Sequence, residues 1–320
     1  MSKYFIYLFI ITILIISLNL DQSEFPDYDS YKRIYNDSSL FGTWEMTFTT
    51  IAFFFKKINL NYDNFREFIL IFSSFVFILI LKHSTKKFSF KGIENILLFI
   101  FILISFFLEY SLIRIRAGLC ISFILLSFIY FDKKSYKIAI LFYILSFYTH
   151  QLTSIVLLYL LFFPLIFSKL KLSVISNKSF YFILSILFMI ISLFLINIIF
   201  MERGTQLYSP LNPVRFSLLA FSLIFMLFKQ GNSHNSFIYN FNKNYSIFII
   251  GLIFLFYSDR TIESGEALVR VYTLASIPSF IIFINTGVNP KSYLSIYILI
   301  TNALFFIYTL GFFKLFNLFN

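Results

Sequence analysis

Arginine and lysine divide this chain between them, and the division picks out residues that can do chemistry. Arg114, Arg116, Arg203, Arg215, Arg260 and Arg270 fall in connections or at span starts that carry no lysine. Lys82, Lys86, Lys87 and Lys91, then Lys133, Lys134 and Lys137, then Lys169, Lys171 and Lys178 fill the alternate connections without an arginine. Lysine at the ends of apolar segments is explained by topology, which places such loops in the cytoplasm. The arginines then gather on the outer face, where topology asks for no cation. A planar, permanently charged fork is suited there to gripping phosphate.

Arg114 and Arg116 stand closest together. Residues two apart on a helix point about 200° away from each other, so both face one anion only where the chain is extended or the helix broken. An arginine reaching for the interface is the alternative for either one. The segment 258–270 holds Asp259, Arg260, Glu263, Glu266 and Arg270. Glu266 and Arg270 stand in the favourable i, i+4 order and can neutralise each other. Arg270 nevertheless enters an apolar segment with Tyr272 behind it, and a charge at membrane depth is a candidate for function. Glu45, ahead of a short apolar stretch, qualifies on the same ground.

Proton transfer has two candidates on that face, His150 and Glu45. His150 lies in Phe147-Tyr148-Thr149-His150-Gln151-Leu152-Thr153-Ser154. A neutral imidazole can accept a proton, donate a hydrogen bond to a polar ligand, or cap a helix end. His83 and His234 fall on the lysine side. The chain shows no Gly-rich phosphate loop, no GxSxG elbow, no HExxH and no cluster with metal-ligand spacing, so no metal or cofactor is expected. The lone Cys120 excludes a disulfide within the chain.

These residues must be held by membrane helices. Mean hydropathy is +0.85, with 59% apolar and 13% charged residues, which excludes a soluble fold. Apolar runs of about 17–22 residues recur, each able to cross the hydrocarbon core as a helix. Lipid obliges each span to satisfy its own backbone. The expectation is an all-α, polytopic transmembrane bundle forming one integral membrane domain over 1–320. Its spans are read at 4–20, 66–81, 93–110, 117–131, 137–149, 152–168, 179–200, 214–228, 245–257, 270–286 and 293–313. Segment 46–57 is read as a re-entrant or interfacial helix, because this keeps the lysine clusters together on one side. The net charge of +11 belongs to short loops at helix ends and does not indicate nucleic acid.

The longest outer connection, 21–45, is acidic and aromatic. Tyr28, Tyr31 and Tyr35 share one face if it is helical. They form either a platform for sugar rings, beside Asp27, or an interfacial anchor.

Asp27-Tyr28-Asp29-Ser30-Tyr31 with Tyr35, Glu45 leading a short apolar helix, Ile113-Arg114-Ile115-Arg116-Ala117-Gly118, His150 with Ser154, and Arg270 with Tyr272, in this order, resemble the EpsG family of exopolysaccharide polymerases, relatives of the Wzy type. The resemblance covers most of the chain. It leaves open which of Arg114 and Arg116 is the family's arginine. It implies polymerisation of undecaprenyl-diphosphate-linked repeat units at the outer face of a bacterial plasma membrane, with a lipid-linked glycan as donor and another as acceptor. A flippase and a chain-length regulator are the implied pathway partners. On this reading Arg114, Arg116, Arg203, Arg260 and Arg270 serve the diphosphate, and Asp27, Tyr28, Tyr31, Tyr35 and Tyr272 serve the sugar. The alternatives are a glycosyltransferase using lipid monophosphate donors, with Asp27 or Asp29 as base, and a flippase or transporter of lipid-linked glycans.

Overall fold

A computed structural model describes residues 3–19, 23, 27–37, 45–84, 110–111, 114–163, 166, 186–187 and 190–191. Among these the ordered elements are helices, and no strand occurs. They are α1 (Lys3–Asn19), α2 (Tyr28–Asn36), α3 (Met46–Lys57), α4 (Tyr62–Ser84), α5 (Ile115–Asp132), α6 (Tyr136–Thr149) and α7 (Gln151–Leu157), which runs on into a π-helical turn, Leu158–Phe162. The expected span 93–110 and those from 179 onward fall almost entirely outside the described residues. The chain forms two compact units, Met1–Ser154 with Phe283–Asn320 and Ile155–Ile282. The first contains α1 to α6. In the second, the ring of Tyr159 stacks on Phe163 at 6.0 Å.

Among the described residues two helices, α4 and α5, are long and apolar enough to cross a membrane. α5 is the centre of its unit. Every residue from Ala117 to Ile129 is buried, so it shows lipid no face of its own. Its neighbours carry the outward surface: Phe68, Ile71 and Phe75 are exposed on α4, and Ile140, Leu141 and Ile144 on α6. α4 and α5 run parallel in fixed register. His83 meets Asp132 at 3.0 Å and the Ser122 hydroxyl donates to Ser73 at 3.1 Å, both at a separation of 49 positions. α6 returns antiparallel, with the Ser127 hydroxyl bonded to the Ala139 carbonyl at 2.7 Å. The reversal turns on Lys134, which takes a left-handed φ of 63° while the Ser135 and Lys134 amides close onto Tyr130 and Phe131.

Small residues let the helices approach. A Cβ on Gly118 would lie 1.9 Å from the Tyr110 carbonyl oxygen, so only glycine admits that neighbouring backbone.

α3 is 12 residues long, too short to cross. It runs between the starts of two spans. Glu45 at its N-terminus pairs with Arg116 at the start of α5, and Phe55 near its C-terminus packs on Phe65 and Phe68 of α4. It therefore lies across one end of the bundle, as the interfacial reading of 46–57 requires. This places Lys56 and Lys57 at the same end as Arg116, so lysine is not confined to the opposite end. Lys56 is accounted for by its bond to the Asn36 carbonyl, 2.8 Å away.

Candidate active site

α2 is a helix because three tyrosines at positions 28, 31 and 35 make one side of it apolar, and because Asp29 and Arg33 fall at the ends that complement its dipole. All three rings are at most 6% exposed. Tyr28 meets Tyr62 edge-on at 5.1 Å, Tyr31 lies against Phe48 at 6.1 Å, and Tyr35 packs on Phe65 at 5.4 Å. The Tyr28 hydroxyl donates to Asp63 at 2.6 Å and the Tyr35 hydroxyl to the Leu60 carbonyl at 2.7 Å. The tyrosine face is thus occupied by α3 and α4. Asp27 precedes the helix, and its carbonyl receives the Tyr31 amide.

The helical frame breaks just where the two arginines stand. Arg114 is the N-cap of α5, with φ −99° and ψ 64°, and the helix begins at Ile115. Arg116, in the first turn, donates to the Glu45 carboxylate and lies over the ring of Tyr31, 4.9 Å from its centre. Burial lifts the Tyr31 phenol above its usual value, against the pull of the Arg116 guanidinium. A cation in the first turn opposes the helix dipole. Glu45 offsets that, and an arriving anion would do the same. Arg116 keeps 25% of its side-chain surface exposed against 10% for Glu45, while its Nε is buried.

His150 stands at the same end of the bundle, one helical turn along from Arg116. The Cys120 thiol, four residues after Arg116, reaches the His150 carbonyl at 3.6 Å. His150 is the extended C-cap of α6, and its Nδ1 receives the Thr153 amide at 3.3 Å. A neutral imidazole bonded in this way carries its proton on Nε2 and can donate from it. Below it, Ser146 and Ser154 share a buried hydrogen bond at 2.7 Å.

The structure thus brings together Glu45, Arg116, Tyr28, Tyr31 and Tyr35, sets Arg114 beside them in the chain, and leaves His150 a helical turn away. Arg203, Arg260, Arg270 and Tyr272 lie outside the described residues. Arg66 was missed from sequence. It is 2% exposed on α4, with its guanidinium 5.2 Å from the Tyr28 ring centre and 5.9 Å from that of Tyr62. The signal was a charge within a span, one turn after a tyrosine. The span was read as starting at 66, so this charge passed for its flank. Among the described residues no group of His, Cys and acidic side chains could hold a metal.

A bundle of apolar helices carrying a buried carboxylate–arginine pair among tyrosines is the architecture of an integral membrane protein with a polar site at one end of its bundle. The chain belongs to the EpsG family, whose model matches residues 2–319, and EpsG is a family of Wzy-like polymerases of polysaccharide biosynthesis. No curated protein and no solved structure matches it.

Proposed function

We propose that the protein joins undecaprenyl-diphosphate-linked oligosaccharide repeat units at the outer face of the plasma membrane. The observation that carries this reading is the Glu45–Arg116 pair, set at the bundle end opposite His83, Asp132 and the lysine turn 133–134. Lys82, Lys133, Lys134 and Lys137 gather at that opposite end, and with Lys56 held by the Asn36 carbonyl they favour it as the cytoplasmic side, which turns the pair outward.

In this mechanism the donor's diphosphate takes the Arg116 guanidinium, and the Glu45 carboxylate is released from it. Glu45 then accepts the proton of the acceptor hydroxyl as that oxygen bonds to the donor's anomeric carbon. The bond from that carbon to the diphosphate breaks, and undecaprenyl diphosphate leaves with the electron pair. Arg116 stabilises the developing charge, which a preorganised donor does without reorganising water. His150 donates from Nε2 to the sugar or the phosphate and leaves the proton transfer to Glu45. Arg114, Arg203, Arg260 and Arg270 supply further positive charge on the same face. Asp27 and Tyr272 serve the glycan, while the rings of Tyr28, Tyr31 and Tyr35, packed on α3 and α4, support the site from behind.

Deleting the chain from its cell tests the reading. Single repeat units should accumulate on lipid and polymer should vanish. Normal polymer in the deletion strain would end it.

A further inference from the structure

Three features outside the mechanism converge on α2. Tyr28 and Tyr31 are one turn apart on its buried face, which sets their Cβ atoms about 5–6 Å from each other. Each ring lies against one guanidinium from a different span: Arg116 of α5 on Tyr31, and Arg66 of α4 on Tyr28. The Tyr62 hydroxyl is buried beside Arg66 without a well-formed hydrogen bond among the described residues.

Register brings the two arginines to one depth. α4 and α5 are parallel with a separation of 49 positions between facing residues. The same offset carried toward their starts sets Arg66 level with Ile115, next to Arg116. Packed helix axes lie about 8–10 Å apart, a gap that two arginine side chains can bridge. Two guanidinium forks at one depth on adjacent helices match two linked phosphates better than one.

We propose that Arg66 is the second arginine of the anion site, that it and Arg116 each take one phosphate of a lipid diphosphate, and that α2 caps both in the unliganded protein. This rests on the reading of Arg116 as a phosphate ligand. It adds a specificity: the second fork distinguishes a diphosphate from a monophosphate. Ligand binding displaces Tyr28 and Tyr31 from the guanidinium faces, so α2 moves as one piece. Asp63, which receives the Tyr28 hydroxyl, supplies a hydrogen bond that returns it.

The test uses the full-length protein in nanodiscs, titrated with undecaprenyl diphosphate and separately with undecaprenyl monophosphate. The fluorescence of Trp44, the single tryptophan of the chain, follows binding. Wild type should prefer the diphosphate lipid. Arg66→Lys and Arg66→Gln should lose about tenfold in diphosphate affinity, the scale of one lost charge-assisted contact, with monophosphate affinity within about twofold of wild type. Inorganic diphosphate added as competitor should displace the lipid if the headgroup is what is read. Tyr28→Leu uncaps Arg66 without removing it and should speed association of the diphosphate lipid. That gain separates uncapping from damage to the fold and keeps the proposal open to failure where Arg66 variants do not accumulate. Retention of the full diphosphate preference in both Arg66 variants, or unchanged association in Tyr28→Leu, overturns the second subsite and leaves Arg116 standing. Wild type that binds neither lipid overturns both readings.

Discussion

Glu45 and Arg116, 71 positions apart in the chain, form an ion pair where α3 and α5 begin. A buried pair of this kind is weak evidence for stability, because desolvation offsets much of the attraction. In the proposed mechanism its value is that either partner can be exchanged for substrate.

The arginine is the first test. Lysine keeps the charge but gives up the fork. Arg116→Lys should therefore cost nearly as much as Arg116→Ala, on the order of 2–4 kcal/mol of transition-state stabilisation. Arg114→Lys should be milder, because Arg116 is the one that meets Glu45. Arg33→Lys should be nearly silent. The readout is kcat/KM on lipid-linked repeat units; wild-type rates in Arg116→Lys would reduce the side chain to a charge at the interface.

The two candidate proton acceptors separate by chemistry. Glu45→Gln should abolish polymer at normal membrane levels. At position 150, glutamine donates a hydrogen bond but cannot act as a base. His150→Gln should thus retain clearly more activity than His150→Ala. Equal inactivity of the two, beside an active Glu45→Gln, would transfer the base role to His150.

Sidedness is checked by thiol labelling in intact cells that carry Cys120→Ala. Cysteine at Arg33 or Ser264 should react with an impermeant reagent, and cysteine at Thr85 or Lys137 should not. The reverse pattern would turn the Glu45–Arg116 site toward the cytoplasm and remove the outer-face mechanism.

Gly118→Ala probes packing. The added methyl must push Tyr110 backbone out of van der Waals overlap, so about 1–3 kcal/mol of destabilisation is expected, read as a lower melting temperature in detergent. An unchanged melting temperature would mean that the two backbones separate freely.

Hydropathy and charge made the helices legible. The readings 117–131 and 137–149 fall within α5 and α6, and the tyrosine spacing anticipated α2. The boundary of α4 was not legible. Asn61 and Asn64 bond reciprocally to each other's amides and start that helix at Tyr62, four residues before the apolar run at 66. That displacement hid Arg66, since a charge at a span's edge reads as topology and the same charge a turn inside reads as function. Nor does a sequence alone reveal that Glu45 meets Arg116. Such a contact depends on how α3 lies across the bundle end, which no local period encodes. The helix start at Ile115, which makes Arg114 a cap and puts Arg116 in the first turn, is likewise not encoded in their spacing.

The separation of Glu45 from Arg116 also orders the birth of the molecule. At about 5–20 residues per second, the ribosome adds Glu45 roughly 4–14 s before Arg116. Tyr28, Tyr35, Phe48, Tyr62 and Phe65 belong to α2, α3 and α4 and can gather within that interval, since their partners already exist. When α5 inserts, its arginine meets an aromatic nest with the counter-charge in place, and α6, made next, closes over the helix that has no lipid-facing side.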